Sequence, residues 1–254
     1  MPGAEWPLDA VSLGIVLLGA LIAGFTTGVA GFGTALVASG LWFHALPAAM
    51  VPPLVVLASV AAQGAGLLVV RRAFDLRSAA PLLAGGGIGV PLGVGALAVA
   101  SPAMIRGGVA AFLVAYALLQ ILQPSPREIG QVGGRGADLA VGIAGGFLGG
   151  FAGLSGPLPL VWLQLRGGSP DAQRAVYQPF NMFVLSLAAV TMALAGQITS
   201  GVLWVALQCL PATLVGAWLG VRVYDRISQA AFRRVVLLLL LGSGVVLLGQ
   251  TVLG

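Results

Sequence analysis

Two glycine-rich stretches interrupt otherwise apolar segments, and they match each other. Residues Gly24 to Thr34 align without a gap against the second stretch, which runs from Gly145 to Pro159. Gly24 meets Gly146, Phe25 meets Phe147, Gly28 meets Gly150, Ala30 meets Ala152 and Gly31 meets Gly153. Both read Gly-Phe-x-x-Gly-x-Ala-Gly. Runs of glycine break helices, so the chain reads as two related halves, each with one broken helix. A second match supports this: Ser101-x-Ala-x-Ile-Arg106 aligns with Ser228-x-Ala-x-Phe-Arg233, each opening the last span of its half. The expected division is a first repeat over residues 1–122, a polar linker over 123–137 and a second repeat over 138–254.

The surroundings of the breaks decide what kind of chain this is. Of its 254 residues 59% are hydrophobic and 7% charged, with a mean hydropathy of +1.05. Soluble domains carry about 25% charged residues, so this chain cannot cover a soluble surface. Its apolar stretches run to about 20 residues, the length of a membrane-crossing helix. They lack the alternation a barrel needs. The expected fold is an all-α polytopic membrane protein, with membrane lipid as its surroundings.

All twelve basic residues are Arg. They lie singly or in pairs at segment ends, where charge sets topology, so nucleic acid is not expected as a partner. One His, one Cys and no carboxylate inside a full span leave no metal or cofactor site and no catalytic constellation. The chain is not expected to be an enzyme.

The arginines also bear on the path of the broken segments. If each crossed the membrane once, Arg71, Arg72, Arg77, Arg127 and Arg135 would face the opposite side from Arg166, Arg174, Arg222, Arg226, Arg233 and Arg234. That contradicts the bias of arginine toward the cytoplasm. If each is a re-entrant hairpin, each half has three crossings and the second half is inverted. Eleven of the twelve Arg then share one face, with only Arg106 on the other. Both termini, beside Glu5 and Asp9, fall on the arginine-poor face and are expected in the periplasm.

The breaks are also where chemistry is available. A helix N-terminus presents unpaired N–H groups and a partial positive charge, and so attracts anions. Pro157 suits the first helical position, with Ser155 or Gly156 as cap; Thr34 holds the matching place in the first break. The expected solute-binding set is Gly31, Gly33, Thr34, Gln63, Gly153, Ser155, Gly156, Gln178 and Asn181. The solute expected is a small anion. Gly24, Gly28, Gly146 and Gly150 are better read as helix-packing positions. Tyr177 to Asn181 reads equally as a site or as a proline kink.

The two breaks, the duplicated halves, the length and the Pro211-x-x-x-x-Gly216 pattern together resemble the TauE/SafE family of membrane transporters, the sulfite-exporter family. The resemblance implies a multi-pass protein of the bacterial inner membrane with about eight membrane segments, hairpins included. It implies export of a small sulfur-containing or carboxylate anion such as sulfite or an organosulfonate. The alternatives from the residues are an anion channel and a non-transporting membrane subunit. Glycine-rich faces would also support a homodimer.

Overall fold

The computed structural model describes residues 8–69, 74–122, 130, 132–223, 226 and 229–253. Expectations resting on the N-terminal end, Arg71, Arg72, most of the linker and Ser228 lie outside these residues. The described residues form ten helices and no strand: α1 (Ala10–Ala30), α2 (Thr34–Trp42), α3 (Val51–Val69), α4 (Leu76–Val99), α5 (Pro102–Leu122), α6 (Gly134–Ala152), α7 (Pro157–Arg166), α8 (Pro170–Leu194), α9 (Ser200–Val223) and α10 (Gln229–Leu253). The second half starts its first helix at Gly134, inside the stretch expected as linker.

Local signals explain most helix ends. Asp9 accepts from Ser12 N at 2.8 Å, and Asp75 from Ser78 N at 3.0 Å. Each cap satisfies one orphan N–H of a first turn. The same hydrogen bonds hold both carboxyls below the usual aspartate range. Proline opens α7 and α8, where its missing N–H costs nothing. Pro91 and Pro211 lie inside α4 and α9, each in the fourth helix of its half.

Both broken segments reverse direction. In the first, Trp42 at the end of α2 donates its indole N–H to Val16 O at 3.0 Å. The return helix therefore runs back along α1 toward its start. In the second, Trp162 donates to Asp138 Oδ1 at 2.8 Å, and Arg166 bonds Asp138 Oδ2 and Gly134 O at 2.9 and 3.0 Å. In the gapless register that pairs Gly24 with Gly146, Val16 pairs with Asp138. Each hairpin is thus stapled at its foot by an indole reaching the same position of the descending arm.

The long arm of each hairpin packs on a helix of the other half. These two pairs, α1 with α9 and α4 with α6, are the most extensive in the molecule. Glycine lets them approach backbone to backbone. A methyl group on Gly24 would lie 2.2 Å from Thr213 O, and one on Gly28 2.3 Å from Ala217 O. One on Gly146 would lie 2.6 Å from Gly86 O, and one on Gly150 2.4 Å from Val90 O. All four glycines therefore have the packing role expected of them. Both pairs run parallel, since later residues of one helix meet later residues of the other.

Among the described residues, six helices are long and apolar enough to cross a membrane: α1, α4, α5, α8, α9 and α10. The number equals the six crossings expected, but α1 stands among them, while the apolar stretch of α3, Val51–Ala65, is shorter. With 21 residues α1 is about 31 Å long. A hairpin arm of that length meets the length criterion although the chain turns back at its end.

Candidate functional site

Three glycines with positive φ make the two hairpin tips. Gly31 (φ 77°) ends α1 and donates to Thr27 O at 2.7 Å, and Gly33 (φ 111°) precedes α2. Gly153 (φ 73°) ends α6, donating to Gly149 O at 2.9 Å, while Leu154 N donates to Leu148 O at 3.1 Å. Only glycine takes this backbone region without strain, which is why the breaks are glycine-rich at these positions.

The tips meet. A methyl group on Gly156 would sit 3.1 Å from Asn181 Nδ2 and 3.4 Å from Phe32 Cβ. Between them lies a cavity of about 20 Å³ whose walls include Gly33, Thr34, Gly153, Ser155 and Gly156 from the tips. Ser59 and Gln63 from α3 and Asn181 from α8 add polar side chains to it. Gln63 lies about three turns into α3, and Asn181 about three turns into α8. The volume holds about one water.

Asn181 is 1% exposed. Its Oδ1 accepts from Ser155 Oγ at 3.1 Å, and its Nδ2 has no hydrogen-bond partner. Ser59 Oγ, on the same cavity, also has none. Buried polar atoms without partners are rare in native proteins because desolvating them costs about 1–3 kcal/mol. Two of them lie on this one small cavity, which makes it the candidate site for a polar solute. No carboxylate is among the described residues lining it.

The two return helices are not equivalent donors. Neither has a side-chain cap. In α2 the Thr34 N–H is already taken by Thr27 Oγ1 at 2.9 Å, and the two hydroxyls bond each other. The first-turn N–H groups left by helix geometry are those of Ala35 and Leu36, both on the cavity. In α7, Pro157 and Pro159 have no N–H, so the first turn offers only Leu158. Gly156, not Ser155, occupies the cap position; the Ser155 hydroxyl goes to Asn181 instead. The first tip therefore supplies backbone donors, and the second supplies side chains.

Of the nine residues expected at the site, seven line this cavity: Gly33, Thr34, Gln63, Gly153, Ser155, Gly156 and Asn181. Gly31 and Gln178 do not. They face each other beside it, where a methyl group on Gly31 would lie 3.2 Å from Gln178 Nε2. The neighbouring Tyr177 donates to Ala30 O at 3.0 Å. The Tyr177–Asn181 stretch is continuous helix around Pro179 and carries both tip contacts on one face. Thr27, Phe32 and Ser59 were not expected. Ser59 carries a sequence signal, being one turn before Gln63 on the same face.

A second, larger cavity of about 290 Å³ adjoins the first and shares Phe32, Gly33 and Leu36 with it. Arg174 and Arg233 lie on its wall.

The family model for the sulfite exporter TauE/SafE matches residues 16–247, so the chain belongs to that family of membrane transporters. Neither a curated protein nor a solved structure matches it.

Proposed function

We propose that this TauE/SafE chain carries a small anion, sulfite or an organosulfonate, across the bacterial inner membrane and binds it where the two hairpin tips meet. The observation that carries the proposal is the buried Asn181 amide. It is a donor without a partner, beside the first-turn N–H groups of α2 and away from any carboxylate on the cavity wall. A helix N-terminus contributes about 0.3–1 kcal/mol toward an anion when exposed and up to about 2 when partly buried. A hydrogen bond from Asn181 to a charged oxygen adds about 1.5–3 kcal/mol. Such a sum holds a small anion weakly enough to release it.

The membrane arrangement belongs to the same proposal. Each half contributes a re-entrant hairpin and three crossings, the second half inverted, with both termini periplasmic. Support comes from the exchange of partners: α1 packs on α9 as α6 packs on α4, and each hairpin is stapled at its foot by a tryptophan. Inverted repeats of this kind place a solute at the meeting of broken helices.

The cavity has room for about one water, so loading requires the tips to part. We assign the motion to bodies that cross the halves. The glycine contacts tie α1 to α9 and α6 to α4, so each tip moves with a helix of the opposite repeat. A cavity this small suits alternating access better than an open anion channel.

The test is a thermal-stability screen of purified protein against sulfite, organosulfonates, sulfate and small carboxylates. A bound anion should raise the midpoint in parent protein and not in Asn181→Leu. A shift of equal size in both would place the site elsewhere.

A further inference from the structure

We propose that the site between the tips selects monoanions: sulfite is taken as hydrogensulfite, organosulfonates bind as they are, and dianions such as sulfate are refused. The inference rests on the transport reading and names the charge of its substrate. Its ground is the kind of donor on the cavity wall. Every polar side chain among the described lining residues is neutral: Thr27, Thr34, Ser59, Gln63, Ser155 and Asn181. Neither an arginine nor a carboxylate is among them. Arg174 and Arg233 line the adjoining larger cavity and not this one. Tyr177, beside the site, donates its phenol proton to Ala30 O at 3.0 Å.

Neutral donors treat one charge and two differently. The cost of taking an ion out of water rises with the square of its charge. Its attraction to fixed dipoles rises only in proportion to that charge. A dianion therefore needs a cation beside it, or a full shell of donors fed by several helix ends. Here one of the two helix ends is impaired. Pro157 and Pro159 bring no N–H to the first turn of α7, and the Ser155 hydroxyl is turned to Asn181 Oδ1. Only α2 presents first-turn N–H groups on the cavity, those of Ala35 and Leu36. A helix N-terminus is equivalent to about half an elementary charge. With the unpartnered Asn181 amide and Ser59 hydroxyl, that suits one negative charge and falls short of two.

The probes are methanesulfonate and methylphosphonate, which share a methyl group and three oxygens on a tetrahedral centre. The first is a monoanion throughout; the second passes from monoanion to dianion above neutral pH. Purified protein is titrated with each at about pH 6 and about pH 9, in buffer free of other oxyanions, and dissociation constants are read from the unfolding midpoint. At the lower pH the two constants should agree within about threefold. At the higher pH the methylphosphonate constant should rise at least about tenfold, while the methanesulfonate constant stays within about twofold. The second result also controls for titration of the protein itself. Total sulfite should weaken with pH as methylphosphonate does, and sulfate should give no shift where methanesulfonate saturates. Sulfate binding within about threefold of methanesulfonate, a methylphosphonate constant indifferent to pH, or a parallel loss of both probes overturns the proposal and leaves the tip site standing. Methanesulfonate shifts of equal size in parent and Asn181→Leu, or no shift with any of these anions, remove the tip site and the proposal together.

Discussion

Ser155 Oγ donates to Asn181 Oδ1 at 3.1 Å, joining the second hairpin tip to the middle of α8. The bond fixes the amide so that its other end, Nδ2, faces the cavity without a partner. Asn181→Leu removes that donor at nearly constant volume. It should raise the solute concentration for half-maximal transport in proteoliposomes by about tenfold or more, about 1.4 kcal/mol. Ser155→Ala should change it by only about two- to threefold, because the amide stays. Equal effects of the two would remove Asn181 from the site.

Bulk at the tips should be worse than loss of a hydroxyl. Gly33 has φ 111° and a methyl there would meet Thr26 Cγ2 at 2.8 Å; one on Gly156 would face the Asn181 amide at 3.1 Å. Gly33→Val and Gly156→Val are expected to insert at normal levels and to abolish transport. Transport at parental rate by Gly156→Val would show that the cavity is only structural.

The glycine contacts between helices predict a contrast. Gly146→Ala places a methyl 2.6 Å from the Gly86 carbonyl oxygen, whereas Gly95 has nothing within 4 Å. The first should destabilise by about 1–3 kcal/mol through forced separation of α4 and α6. Gly95→Ala should be neutral or slightly stabilising. Thermal unfolding in detergent compares them, and equal midpoints would count against close packing.

The foot of the second hairpin predicts another. Arg166 and Asp138 pair at 2.9 Å with side chains 14% and 9% exposed. Arg166→Leu leaves the carboxylate with the Trp162 indole alone and should cost about 3 kcal/mol. The double variant Asp138→Leu with Arg166→Leu should cost less than the sum of the singles. Strict additivity in chemical denaturation would mean that the pair does not interact.

Sidedness is checked at two exposed positions of α8 and the loop after it. In a Cys209→Ala background, Ala195→Cys should label with an impermeant reagent in intact cells. Ala172→Cys should label only after the membrane is opened. The reverse pattern would invert the arrangement.

The tips were legible in sequence because glycine is required there for a backbone reason, and a backbone requirement repeats with the fold. Asn181 and Gln63 stood out because polar side chains are scarce in apolar spans. What stayed hidden depends on direction in space. Gln178 is three residues from Asn181, one turn away and about 60° round the helix, and that offset carries it to Gly31 outside the cavity. Thr27 was invisible because its hydroxyl replaces a cap from seven residues away. The inequality of the two tips could have been read from Pro159, which removes an N–H that the first break retains. The cavity formed by Arg174 and Arg233 brings together residues far apart in sequence, which no local pattern marks.

The partner exchange also has a consequence for synthesis. Residues 10–42 are made well before the groove that receives α1, which belongs to α9 in the second half. When the first half leaves the ribosome, Gly24 and Gly28 have nothing to close against. The glycines of α4 wait in the same way for α6. The earliest hairpin must therefore sit in lipid, or in the care of the insertion machinery, until some 170 further residues have followed. Contacts so distant in sequence form slowly. Chains truncated before α9 should be recognised as unfinished and degraded, even though both tips have already been made.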